Sequence, residues 1–176
     1  LSGGISDTAA NLAPSGTASS GLTNATTQDG DVAITITGTN PTVAELNKVA
    51  SLTTGTVTAT ISETISNLSS LSTASTDAIT TTVTDAASVA QFNTLDAKTS
   101  VDIVLTGGVS DTAAAYASSG GTTTSGLTAI GAQDGDAVIT VTDAATVAQF
   151  NTIDGKTSSN VGLSGGISDT AANLAP

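Results

Sequence analysis

Val and Ile alternate with small polar residues in six segments of this chain, and runs with apolar residues three apart lie between them. The alternating segments are DVAITIT (31–37), TVTATIS (56–62), DAITTTVT (77–84), SVDIVLTGGVS (100–110), DAVITVT (136–142) and NVGLSGGIS (160–168). A period of two puts Val57, Ala59 and Ile61 on one face and Thr58 and Thr60 on the other. It likewise separates Ile79, Thr81 and Val83 from Thr80 and Thr82, which predicts strands with one buried and one wet face. The intervening runs carry Val43, Leu46 and Val49, then Ile65, Leu68 and Leu71, then Val89, Phe92 and Leu95, then Val147, Phe150 and Ile153. That spacing predicts short helices packed on the strands.

Each strand closes on Ser or Thr, usually followed by an acid: Ser6-Asp7, Ser62-Glu63, Thr84-Asp85, Ser110-Asp111, Thr142-Asp143 and Ser168-Asp169. These pairs predict helix starts, because an oxygen there accepts an orphan amide and negative charge suits the helix dipole. Asn40 and Pro41 take that role after the first strand, with proline at a position whose amide needs no partner.

Strand, helix, strand at a spacing of about 22 to 32 residues requires crossover connections, hence a parallel sheet with right-handed crossings. The fold class predicted is α/β: a right-handed parallel strand-helix solenoid, two layers thick, with six rungs per period. At roughly 4.8 Å per strand, six rungs advance about 29 Å.

The period is written in the chain itself. Residues 1–14, LSGGISDTAANLAP, recur without change at 163–176, a period of 162 residues. Within it, TDAASVAQFNTLDAKTSVDIVLTGG (84–108) aligns without gaps to TDAATVAQFNTIDGKTSSNVGLSGG (142–166). Residues 1–162 therefore read as one full period of a continuous array and 163–176 as the start of the next. Such arrays build length and surface, each unit burying apolar area against its neighbours. The expected partner is the chain itself, through adjacent repeats or protomers stacked end to end.

Charge narrows the other partners. Three Lys and Arg stand against fifteen Asp and Glu, with no His, for a net charge of −12. Nucleic acid is excluded as a partner, since phosphate contacts need clustered Lys or Arg, and divalent cations are favoured. The basic residues are Lys48, Lys98 and Lys156, near helix ends where positive charge suits the dipole. No apolar stretch approaches the roughly 20 residues that span a bilayer, so this segment is not expected to insert into a membrane. Cys and Met are absent, which removes thiol chemistry and suits an exposed, extracellular life, bacterial rather than animal. Without His, Cys or Arg the usual bases, nucleophiles and oxyanion clamps are missing, and an enzyme is not expected.

Three features could carry chemistry. Two insertions, SGLTNATTQDGD (20–31) and SGLTAIGAQDGD (125–136), place Asp29 with Asp31 and Asp134 with Asp136 on either side of a glycine. Paired carboxylates with backbone carbonyls suit calcium. The same sequence also makes a turn into a strand, with Asp bonding its own backbone and Gly at positive φ. A second acidic series, Asp7, Asp85, Asp111, Asp143 and Asp169, is accounted for by capping. The third is a set of threonine files, Thr35, Thr60, Thr82 and Thr140 beside Thr58, Thr80 and Thr106, which resembles the ice-binding face of antifreeze β-solenoids. Gly108, Gly166, Ala33 and Val138 interrupt those files. Asn24-Ala25-Thr26 and Asn67-Leu68-Ser69 match the N-glycosylation triplet.

At TDAATVAQFNTIDGKTSSNV, LSGGISDTAANLA and QDGDAVITVT the chain resembles the repeats of very large bacterial surface proteins, notably cyanobacterial ones related to hemolysin-type calcium-binding (RTX) adhesins. The resemblance implies an acidic, cysteine-free protein exported to the cell surface as a sheath, fibre or adhesin stalk. A calcium-dependent adhesin repeat that binds carbohydrate or a surface is the alternative, and an ice-binding solenoid the third. The RTX nonapeptide GGxGxDxUx is missing.

Overall fold

The computed structural model describes residues 3–38 and 40–174. The protein is α/β. Its strands are β1 (Ile5–Thr8), β2 (Ile34–Thr37), β3 (Val57–Glu63), β4 (Ala78–Val83), β5 (Ile103–Leu105), β6 (Val109–Asp111), β7 (Ile139–Val141) and β8 (Val161–Leu163). Its helices are α1 (Ala9–Leu12), α2 (Ser20–Gln28), α3 (Val43–Ala50), α4 (Ile65–Leu68), α5 (Val89–Asp96), α6 (Ala113–Tyr116), α7 (Ser125–Gln133), α8 (Val147–Asp154) and α9 (Ala171–Leu174). One sheet runs β1-β2-β3-β4-β5 and the other β6-β7-β8, each in chain order. β1 to β3 and β6 to β8 pair in parallel, as crossover connections require.

Residues up to Thr82 with Thr94–Asp102 form one compact unit, and Val83–Asn93 with the chain from Ile103 onward a second. In the first unit Val57, Ala59 and Ile61 are buried and Thr58 and Thr60 are exposed, the alternation that a period of two demands. Leu46, Val49, Ile65 and Leu68 close over that face from the helices. In the second unit Ile139, Val141, Leu127, Ile130 and the only tyrosine, Tyr116, fill the core. Tyr116 donates its hydroxyl proton to the carbonyl of Thr140, 3.2 Å away, so its polar end is satisfied.

Three threonine hydroxyls fasten the loop that carries them to the segment that opens the preceding strand. Thr53 donates to Val32 O at 2.6 Å, Thr99 to Ile79 O at 2.8 Å and Thr157 to Ala137 O at 2.6 Å. Each of these hydroxyls also accepts the amide two residues on, from Gly55, Val101 and Ser159. The next residue repeats the attachment through its backbone: Thr54 N reaches Gly30 O, Ser100 N reaches Asp77 O and Ser158 N reaches Gly135 O. Asp77, itself buried, accepts Val57 N at 2.8 Å through Oδ1 and Ala74 N at 2.8 Å through Oδ2. Loops that lack a ladder partner thus bond through side chains.

The predicted strand at 100–110 is two strands. Gly108 adopts φ +73°, a left-handed backbone that breaks the pleat between β5 and β6. Its neighbour Gly107 sits so close to the chain that an added Cβ would lie 2.1 Å from the carbonyl carbon of Asp85. Gly165 and Gly166 repeat both features, which splits the predicted strand at 160–168 after β8.

Helix starts lie beyond the expected residues: Thr8, Thr64 and Thr112 precede α1, α4 and α6, with Thr64 Oγ1 accepting Asn67 N, and the shift is larger at α5 and α8. α5 and α8 begin four residues beyond Asp85 and Asp143. Ser88 and Thr146 are the capping residues instead: Ser88 Oγ accepts Gln91 N, Thr146 Oγ1 accepts Gln149 N, and each glutamine returns its Oε1 to the backbone amide of its cap. Two such reciprocal bonds outweigh one carboxylate. Thr42 caps α3 in the same way through Glu45, while Asn40 exchanges two hydrogen bonds with the backbone of Ser62.

Candidate functional site

Both Asp-Gly-Asp segments end a nine-residue helix, α2 or α7, inside what the sequence presents as an insertion. Ser19 and Thr124 cap these helices at their starts, and Asp29 and Asp134 end them. Gly30 and Gly135 do not take positive φ, so the predicted left-handed turn is not what these glycines supply. A Cβ at Gly30 would approach nothing nearer than Thr26 O at 3.9 Å.

The structure brings Asp134 and Asp136 together beside Val104, Thr106 and Val138, around a hollow of about 210 Å³. Asp134 Oδ2 accepts the amide of Leu105 at 2.5 Å, and the neighbouring Gln133 Oε1 accepts that of Ile103 at 2.9 Å. Two side chains thereby occupy the outer edge of β5, where a further strand would otherwise pair. Burial raises Asp134 above the usual carboxylate range and the Asp136 carboxylate adds to the rise, while the Leu105 amide opposes it. Hydrogen bonding, including a bond with Asp31, holds Asp29 below that range.

A calcium ion takes six to eight oxygens. Each pair offers two carboxylates, but the carbonyls around them already accept hydrogen bonds. Gly30 O receives Thr54 N at 2.8 Å, Gly135 O receives Ser158 N at 2.8 Å, and Asp136 O receives Ser159 Oγ at 2.5 Å. Among the described residues no three Asp or Glu side chains converge as a metal group. The two carboxylates of each pair are thus fewer than the six to eight oxygens that a calcium ion takes.

The strand-end acids do more than begin helices. Asp111 Oδ2 accepts Val89 N at 3.0 Å, Asp169 Oδ2 accepts Val147 N at 3.0 Å and Asp143 Oδ1 accepts Ala113 N at 2.6 Å, each between segments 22 to 30 residues apart. Asn11 and Asn173 donate side-chain protons to Asp7 and Asp169 at 2.8 Å, and together with backbone amides hold both carboxyls below their ordinary range. Asn67 makes the same bond to Glu63, so one of the two glycosylation triplets has its amide engaged, while Asn24 is exposed on α2.

The threonine files run one step differently from the predicted ones. Thr35 pairs with Thr58 and Ser6, not with Thr60, and Thr140 stands between Ser110 and Gly162. Parallel register is set by distant backbone pairing, which period-two alternation leaves free to slip by two.

Sequence reasoning missed the clips made by Thr53, Thr99 and Thr157 and the edge-filling role of Gln133. The repeated Lys-Thr-Ser at 98–100 and 156–158, and the repeated Gln-Asp-Gly-Asp, were the signals for them. No known protein family matches the chain, and no curated protein or solved structure matches it.

Proposed function

We propose that this chain is a structural repeat of an extracellular filament or giant cell-surface protein, serving as sheath, fibre or adhesin stalk. Its rungs would stack as a right-handed parallel strand-helix solenoid and present an anionic, hydroxyl-rich face. The observation that carries this reading is the recurrence of one set of inter-segment bonds at one spacing: Thr53 to Val32, Thr99 to Ile79, Thr157 to Ala137, twenty to twenty-one residues apart. A fastening that recurs at three places along one chain suits units added one after another. The unbroken repeat of LSGGISDTAANLAP fits the same economy. No catalytic role is assigned, since the chain offers no His, Cys or Arg. Electron microscopy of native material, with the length of its polypeptide measured on a denaturing gel, tests the reading. Long unbranched fibres from a polypeptide of many periods are expected. A native polypeptide no longer than these 176 residues would sink the covalent array.

The hollow shared by Asp134 and Asp136 favours a second reading, a calcium-dependent adhesin repeat. Thermal melting with calcium and with a chelator separates the two. A calcium-dependent rise in melting temperature that is lost in Asp134→Asn supports the adhesin, and no shift leaves these carboxylates as edge and turn groups.

A further inference from the structure

A groove of about 480 Å³ lies beside the start of α3 in the first unit. α3 contributes Val43, Ala44 and Asn47, and the end of β3 with α4 and the turn after it contributes Glu63, Asn67 and Ser70. That volume falls within the roughly 300 to 1,000 Å³ of small-molecule sites. β3 has β2 on one side and β4 on the other, so the groove belongs to the interior of the run.

Elsewhere the acid at a strand end closes onto the preceding helix, as Asp111 does by accepting Val89 N and Asp169 by accepting Val147 N. Glu63 holds the equivalent place at the end of β3 but is one methylene longer. The two bonds to its Oε2 both come from its own turn, from Asn67 Nδ2 at 2.9 Å and Thr64 N at 3.3 Å. The space between Glu63 and α3 stays open as the groove.

The polar side chains around it divide into engaged and free. Asn47 is engaged at both ends, donating to Ser70 O and accepting Ser72 N at 2.8 Å each. The Thr42 hydroxyl, also on the rim, exchanges bonds with Glu45. Glu63 Oε1 and Asn67 Oδ1 have no partner among the described residues, and the bond between the two side chains fixes both groups. The Ser70 hydroxyl adds a third oxygen. Oxygen acceptors beside the methyls of Val43 and Ala44, in a chain of net charge −12, call for a ligand that donates, is cationic and has an aliphatic stem. An ammonium group has three donors and no acceptor to satisfy, whereas a calcium ion would want about six to eight oxygens.

We propose that this groove binds a primary alkylammonium group, its protons shared among Glu63 Oε1, Asn67 Oδ1 and Ser70 Oγ and its methylenes laid on Val43 and Ala44. A free polyamine and a lysine side chain of a partner protein both present that chemistry. The binding needs neither the stacking of repeats nor calcium at Asp134, so its failure would leave both readings above standing.

Two-dimensional NMR of the intact chain, titrated with n-butylammonium chloride, tests it. Saturable shifts at Ala44, Glu63, Asn67 and Ser70 are expected, with Val89 unmoved because Asp111 already holds its amide. Tetramethylammonium has the charge without the donors and should not saturate these signals. Glu63→Gln keeps an acceptor for Asn67 and should weaken binding on the order of tenfold. Glu45→Gln removes a charge nearby yet keeps the cap, as Gln149 does on α8, and should bind like the parent. Ala44→Leu, at an exposed position, fills the floor and should block binding while melting like the parent. Putrescine and N-acetyl-lysine amide then separate the two sources by which saturates at the lower concentration. No saturation by n-butylammonium, equal binding of tetramethylammonium, parent-like binding by Glu63→Gln, or an equal loss in Glu45→Gln overturns the proposal.

Discussion

The hydroxyl of Thr99 bonds both backbone groups of Ile79, accepting its N–H at 3.1 Å and donating to its carbonyl at 2.8 Å. A side chain thus stands in for a ladder partner at the start of β4. Thr99→Val keeps the shape and removes both bonds, leaving a buried amide without an acceptor. A loss of about 1 to 3 kcal/mol is expected, read as a lower urea midpoint, with Thr99→Ser retaining most of the stability. Equal stability of Val and Ser at this site would refute the role of the hydroxyl.

Thr81 is the converse case. It faces the core between Ile79 and Val83 at 1 % exposure, and its hydroxyl has no hydrogen-bond partner. Thr81→Val should therefore be neutral or stabilise the fold by up to about 1 kcal/mol. A clear loss in the thermal melt would show that the hydroxyl is satisfied in solution.

Two glycines should answer an added methyl group in opposite ways. Gly107→Ala forces a Cβ into the backbone of Asp85 and should cost more than about 1 kcal/mol, whereas Gly30→Ala meets open space and a helix end. Their melting temperatures, compared side by side, check this. A destabilised Gly30→Ala would return that glycine to the turn role its sequence suggests.

The pH dependence should divide by carboxylate. Burial raises Asp134 in the fold, so its contribution is fully present below its unfolded value and is lost as pH rises through its folded one. Asp7 and Asp169 are lowered first by Asn11 and Asn173. Their contribution is present above the unfolded value and is lost as pH falls through the folded one. Asp134→Asn keeps an oxygen for Leu105 N and discards the titration, so its stability relative to the parent should improve as pH climbs through the carboxylate range. Parallel curves of urea midpoint against pH would rule this out.

What the sequence makes legible is the local part of the fold. Alternation at Val57, Ala59 and Ile61 and the three-residue spacing of Ile65, Leu68 and Leu71 place strand and helix, because both faces are fixed by neighbours in the chain. Caps were misread at Asp85 and Asp143. In a chain this rich in capping residues, Ser88 and Thr146 are equally eligible, and only the answering Gln91 and Gln149 decide. The register of Thr35 on Thr58 and the seat of Asp134 on Leu105 were beyond reach, since each depends on segments more than twenty residues away. For the Asp-Gly-Asp segments the pairing of carboxylates was legible. That α2 and α7 deliver them was not, as the eye reads SGLTNATTQ as loop for want of a continuous apolar stripe.

The threonine clip also bears on how a gene for such a chain tolerates copying errors. Because each hydroxyl finds its carbonyl twenty or twenty-one residues back, slippage that inserts or deletes a whole unit leaves every donor facing an acceptor. Loss of half a unit puts a strand face opposite the wrong neighbour and strands the hydroxyl. A change in length would therefore keep the fold in phase only when it comes in whole units.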